Sequence, residues 1–168
     1  MPPPLSPFAN GTIRVVQDPT RGALLLTMRP LRAGQRVYTI KEFRVGPSPT
    51  VHSIQVGPGA HADGLGLVAS LNHSCDPGLA VDTEAMVLVA LRDHTAGEEL
   101  TYFYPSTEWV MTNPFACHCG APQCVGVVAG AKFLPAAVLG RYVVSPHVRD
   151  LLLAEVSAPL VVTEPAAV

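Results

Sequence analysis

From Thr12 to Ile40 the apolar residues fall in short runs broken by turn residues, the pattern of short half-buried strands. Residues 13–16 and 23–28 read as two strands joined by the turn Asp18-Pro19-Thr20-Arg21-Gly22. Ala33-Gly34 then turns the chain into a third strand, 36–40. A stretch rich in Gly, Pro and His, 41–66, carries a further strand at 50–56, and 86–91 reads as a buried strand. Asp76-Pro77-Gly78 and Gly97-Glu98-Glu99 are turns. The second of these precedes an aromatic strand, 100–104, in which alternation puts Tyr102 and Tyr104 on one face and Phe103 on the other. Pro105-Ser106 opens a helical turn through Trp109.

Near the end, Ser145 is a good N-cap and Pro146 a good first helical residue. Val148, Leu151, Leu152 and Val156 recur at helical spacing, with Arg149, Asp150 and Glu155 off that stripe. The stripe reads as the core-facing side of a helix, with homodimer formation through it as the second reading. Residues 158–168 carry too few signals to assign.

Composition narrows the class. The 168 residues suit one domain with a real core. Charged residues are sparse at 14% and apolar ones abundant at 48%, which fits a compact strand-rich domain and excludes a disordered chain. A net charge of −2 supplies no basic patch for phosphates, so direct nucleic-acid binding is not expected. Residues 1–10 hold three consecutive prolines and lack the basic and apolar regions of a signal peptide, so they read as a flexible Pro-rich tail. The apolar stretch 125–144 is interrupted by Lys132, Pro135 and Arg141, so no membrane span is expected. The expected setting is intracellular and reducing, not secreted.

All four cysteines lie between residues 69 and 126. Cys117, Cys119 and Cys124 form a C-x-C-x4-C cluster, with Cys75 alone upstream. A structural zinc site wants four thiolate or imidazole ligands, so an all-thiolate site requires Cys75 to fold back onto the cluster. Gly120 and Pro122 permit a tight turn between the second and third thiols. The exposed-loop histidine His118 is an alternative fourth ligand. A disulfide framework is the rival reading, although one of its three pairings strains Cys117 against Cys119 and all need an oxidising compartment. Asn72 and His73, entered from the apolar run 65–71, offer several hydrogen-bonding groups. Taken alone they are a polar turn or cap, and Tyr102 and Tyr104 are core tyrosines.

Read in order, N-H-S-C-D-P at 72–77, G-E-E-L-T-Y-x-Y at 97–104 and C-x-C-x4-C-x-G at 117–126 resemble a SET-domain protein-lysine methyltransferase with a post-SET zinc motif. The resemblance covers residues 12–126. It implies a mainly β fold with a few short helices: small curved sheets of β-clip type with a knot-like C-terminal part, followed here by a C-terminal helix. The implied divisions are the tail 1–10, a SET domain 11–112, a post-SET zinc motif 113–127 and a helical extension 128–168. It also implies methyl transfer from S-adenosylmethionine to a lysine amine in a protein or peptide substrate, histone or other.

By the same resemblance Tyr104 is the catalytic tyrosine that orients the amine, and Tyr102 walls the lysine channel. Arg21, Gly22, Ala23 and Leu24 stand where SET proteins carry a G-x-G cofactor loop, here with one glycine only. Asn72, His73 (largely through its backbone) and Tyr104 complete the implied cofactor contacts. Cys75 is the implied fourth zinc ligand beside Cys117, Cys119 and Cys124. The segment 41–66 takes the place of the insert that lines the substrate groove, with His52 and His61 expected to be exposed. Two further departures stand out: Gly78 where many SET sequences have Asn, and Phe103 where many have Asp. The competing reading is a SET-fold scaffold or peptide-binding module, stabilised by zinc but catalytically inactive.

Overall fold

The computed structural model describes residues 11–157, so the readings of the Pro-rich tail and of 158–168 lie outside it. The first two strands, β1 (Ile13–Asp18) and β2 (Gly22–Thr27), pair antiparallel with Asp18 opposite Gly22. Their turn is held by one carboxylate oxygen: Asp18 Oδ1 accepts from the backbone N–H groups of Thr20 and Arg21, each at 2.9 Å. Gly22 has φ 78°, where a side chain would be strained, and it already belongs to β2 rather than to the turn.

A five-stranded sheet runs in the order β3 (Arg36–Thr39), β9 (Val87–Ala90), β8 (Leu79–Asp82), β10 (Thr101–Tyr102), β7 (Asn72–His73). Beside it lies a three-stranded sheet, with β6 (Ala60–Asp63) between β4 (Arg44–Gly46) and β5 (Ile54–Gly57). A last pair, β11 (Phe115–Ala116) and β12 (Val127–Val128), frames the cysteine cluster. Single 3₁₀ turns cover Gly66–Ser70, Tyr104–Ser106 and Ala131–Phe133, and two helices follow, α1 (Ala136–Leu139) and α2 (Pro146–Ser157). This is the mainly β, small-sheet architecture that the SET resemblance implies. Segment 72–78 wraps β10: Asn72 and His73 pair with it in parallel, Ser74 N donates to Tyr102 O, and Gly78 N donates to Thr101 O. Among the described residues no helix is long and apolar enough to cross a membrane.

Strand β10 divides two cores. Tyr102 faces the larger one, built on Ile13, Leu25, Leu79, Leu88 and Leu100, whereas Phe103 faces the smaller, with Cys75, Val128, Leu139 and Val148. The alternation therefore holds, but the strand is shorter than its apolar pattern suggests. Pro105 follows Tyr104 with its fixed φ, and the chain closes a 3₁₀ turn in which Ser106 N donates to Phe103 O.

Other elements also differ from the pattern reading. Residues 50–53 turn instead of extending, because the Ser53 hydroxyl accepts from Thr50 N–H and donates to Thr50 O while the Thr50 hydroxyl accepts from His52 N–H, and the strand starts at Ile54. His61 is buried, not exposed, because β6 is the central strand of its sheet. The C-terminal helix forms, and Ser145 O accepts the first helical bond, from Arg149 N. Only its first turn is deeply covered: Val148 is fully buried, but Val156 is 77% exposed and does not face the core.

Both departures from the SET pattern find a physical reason. A Cβ at position 78 would sit 2.4 Å from His94 Cε1, and His94 Nε2 donates to the carbonyl of Gly78 at 3.0 Å. The ring of His94 fills the space an Asn side chain would need. Phe103 stacks on Tyr142 of the C-terminal extension, with ring centroids 3.7 Å apart and planes 7° from parallel. The hydroxyl of Tyr142 then donates to Cys75 O at 2.8 Å. An aspartate at 103 would be a buried charge against this ring, so the aromatic residue and the extension belong together. Replacing Phe103 with alanine is expected to cost about 3–5 kcal/mol of stability, measured by urea unfolding. A loss below about 1 kcal/mol would show that the extension is not anchored there.

Candidate functional site

Tyr102 leaves β10 toward the larger core and Tyr104 follows at the start of the 3₁₀ turn, with their rings 4.8 Å apart. Together they form one wall of a cavity of about 400 Å³. The segments 49–54 and 111–115 supply the other walls, and Leu71, Asn72 and Glu108 reach it from within. The hydroxyl of Tyr104 donates to Leu71 O at 2.8 Å, so its proton is committed and its lone pairs are left to accept. Burial, helped by the nearby Glu108 charge, pushes the Tyr104 phenol up to about 12 and the Tyr102 phenol well above its ordinary value. Both remain neutral at physiological pH.

Asn72 and His73 are held by the parallel pairing of β7 with β10. The amide of Asn72 donates to Ala23 O at 3.0 Å and to Glu99 Oε1 at 3.3 Å, and Glu99 Oε2 accepts from Arg21 at 2.7 Å. The tip of the β1–β2 hairpin is thereby drawn to β7. Of the four residues at the G-x-G position, Arg21 and Gly22 are exposed, Ala23 is half-buried and the Leu24 side chain belongs to the core. None of the four lines the tyrosine cavity; Asn72 links them to it. His73 points elsewhere: Nδ1 accepts from Tyr104 N–H at 3.2 Å, so Nε2 carries the hydrogen and faces Cys75 Sγ at 3.3 Å. Burial lowers its pKa to about 4, which keeps the ring neutral. Its ring meets Phe115 and Tyr104 edge-on, at centroid distances of 5.8 and 5.2 Å.

The four cysteine sulfurs converge, all lying within 4.8 Å of one another. Cys75 is fully buried and comes 3.9 Å from Cys117, whereas His118 is exposed and outside the group. Tetrahedral thiolates at about 2.3 Å from zinc stand roughly 3.8 Å from each other, which this spacing fits. Gly120 and Gly126, both with φ 75°, make the tight turns on either side of Cys124. Val125 N–H points at Cys75 Sγ from 3.4 Å, a second hydrogen bond suited to a thiolate.

Glu108 was not legible as a site residue. It is 8% exposed, its Oε1 accepts from Gln55 N–H at 2.8 Å and Thr107 Oγ1 at 3.2 Å, and it lines the tyrosine cavity. Burial pushes its carboxyl up to about 7. The only sequence signal was a lone acid in the aromatic stretch Tyr104–Trp109.

Comparison with known proteins agrees with this arrangement. The SET domain family model matches residues 22–105. The methyltransferase flvH of Aspergillus flavus is 39% identical over 84% of this chain and 81% of its own length. The histone-lysine N-methyltransferase ATX2 of Arabidopsis thaliana is 34% identical over 60% of this chain, which spans only 10% of that much longer protein. Among solved structures, KRYPTONITE in complex with mCHG DNA and SAH superposes with a TM-score of 0.56 at 23% identity, over 68% of this chain and 28% of that one. With the family model spanning half of it and a relative matching along most of its length, the chain belongs to the SET-domain methyltransferase family.

Proposed function

We propose that the protein transfers a methyl group from S-adenosylmethionine to the side-chain amine of lysine in a protein or peptide, with Tyr104 orienting the amine. The observation that carries the reading is the cavity walled by Tyr102 and Tyr104, next to a hairpin tip that Asn72 ties in. Support for the substrate comes from relatives named as histone-lysine methyltransferases and from KRYPTONITE, one of whose structures holds an H3(1–15) peptide and SAH. S-adenosylmethionine supplies a methyl group already activated on a sulfonium. Tyr104 and Phe115, which line the cavity, offer aromatic surface to such a cation, and Asn72 with the backbone of residues 21–24 would hold the rest of it.

The remaining work falls to the chain. Lysine is charged at pH 7 and must lose a proton before it can act as a nucleophile. An apolar channel between two neutral tyrosines disfavours the ammonium. With its own proton given to Leu71 O, Tyr104 Oη accepts an N–H from the amine and aims the lone pair. Cys75, Cys117, Cys119 and Cys124 would hold a structural zinc ion that fixes the loop carrying Phe115 beside the cavity.

Calorimetric titration of the zinc-loaded protein with S-adenosylmethionine, followed by turnover on lysine peptides, tests the reading. One equivalent bound and methyl incorporated into a lysine peptide is the expected result. No binding at high concentration would favour the inactive scaffold, for which the single glycine at 21–24 is the supporting feature.

A further inference from the structure

Glu108 stands in the tyrosine cavity with no part in the proposed reaction so far. It is fixed from two sides. Gln55 N–H, from β5, and the hydroxyl of Thr107 both donate to Oε1. The same glutamine side chain accepts from Trp109 N–H at 2.9 Å and donates to Gly57 O at 3.1 Å, so β5 and segment 108–109 form one clasp. A carboxylate buried this deeply beside two tyrosines is costly unless it meets a cation or a proton there.

We propose that Glu108 is the catalytic base of this site: it receives the incoming alkylammonium and takes its proton. The proposal rests on the lysine-methylation reading for its substrate. In the step, one N–H bond of the ammonium breaks, an O–H bond forms on the carboxylate, and the electron pair stays on nitrogen for the methyl group. The product is a neutral amine beside a neutral carboxylic acid, which later returns the proton to water. An ion pair is disfavoured in the desolvated channel, because burial raises the carboxyl and lowers the amine toward each other. The carboxyl already sits at about 7, a value suited to accepting a proton near neutral pH. Tyr104 cannot take this role, since burial holds its phenol at about 12 and its proton is bound to Leu71 O.

The titratable groups around Glu108 leave it as the acceptor. Tyr102 and Tyr104 face it from β10 and the turn after it, and His52 lines the same cavity. Behind it stand His61, paired with Gln55 across β5–β6, and His147 of α2, whose Nε2 meets Thr107 O at 2.8 Å. Burial lowers both of these histidines, so neither is charged above pH 7.

The test uses the full zinc-loaded chain and n-butylammonium as the probe, by calorimetry at pH 8 in two buffers of different ionisation enthalpy. The wild type is expected to bind the amine with no net proton release, the proton passing to Glu108. Glu108→Gln, which keeps an acceptor oxygen for Gln55 and Thr107, is expected to bind at least tenfold more weakly and to release one proton. Equal affinity and equal proton count in the two proteins would overturn the proposal, as would failure of the wild type to bind the amine. If thermal melts show that the Gln variant does not fold, Glu108→Asp takes its place. It retains a carboxylate and should keep the proton count at zero; release of a proton would overturn the proposal.

The pH profile of kcat/KM on a lysine peptide adds a readout specific to proton transfer. The wild-type rate should rise through pH 7 and level off as Glu108 ionises. For Glu108→Gln it should keep climbing through pH 9 with the fraction of free amine. A wild type that binds butylammonium but methylates no peptide would sink the proposed reaction and leave the amine site standing.

Discussion

Tyr104→Phe is expected to lower methyl transfer by about a hundredfold or more while the protein stays folded and still binds S-adenosylmethionine. The change removes one oxygen and leaves the ring. The ring keeps its 4.8 Å spacing to Tyr102 and its edge contacts with His73 and Phe115, so the cavity walls survive. Lost with the oxygen are the hydrogen bond to Leu71 O and the acceptor that aims the amine. The first loss costs about 1 kcal/mol of stability. The second leaves the lysine nitrogen free to swing in the channel, and a misplaced nucleophile loses most of its advantage. The measurement is turnover on a lysine peptide, alongside calorimetric binding of S-adenosylmethionine and a thermal melt. Near-normal turnover would remove Tyr104 from the catalytic role, and loss of cofactor binding would recast it as a binding residue.

What the sequence made legible was whatever depends on local pattern or on residues few in number. The hairpin β1–β2 was readable because short apolar runs flank an Asp-Pro-Thr-Arg turn. The four cysteines were readable because a chain with only four leaves few ways to complete a tetrahedron. Strands such as β4 and β6 were not, since three or four residues give no measurable period. The same limit hid His61, which lies on the short central strand β6, whereas Glu108 was hidden because the element that covers it is remote in sequence. Gln55 reaches Glu108 from more than fifty positions away. Phe103 looked anomalous for a related reason. Its partner Tyr142 lies in the extension beyond the shared motifs, and only the folded chain brings the two rings together.

Cys75→Ser is expected to empty the zinc site as completely as Cys119→Ser does, with zinc falling from one per chain to well below half. Cys75 is the fully buried sulfur of the group and comes from a different part of the chain from the other three. Without a cation, burial pushes the Cys75 thiol up and holds Cys117 at about 11, so these two buried sulfurs would sit protonated. A divalent ion reverses that preference by binding thiolates, and its binding free energy then becomes folding free energy. The serine oxygen is a poorer ligand and leaves a site of three thiolates. The damage should spread along two routes. The backbone carbonyl of Cys75 anchors both Tyr142 and Gln123, which holds the extension against Phe103. On the other side His73 bridges Cys75 Sγ to the backbone N–H of Tyr104. Zinc loss should therefore lower the melting temperature by roughly 10 °C or more and cut activity, even though no cysteine lines the tyrosine cavity. Elemental analysis of the purified variants measures the metal, and His118→Ala is the control. Because His118 is exposed and stands outside the sulfur group, that variant should keep one zinc per chain. Full zinc in Cys75→Ser together with loss in His118→Ala would move the fourth ligand from the cysteine to the histidine.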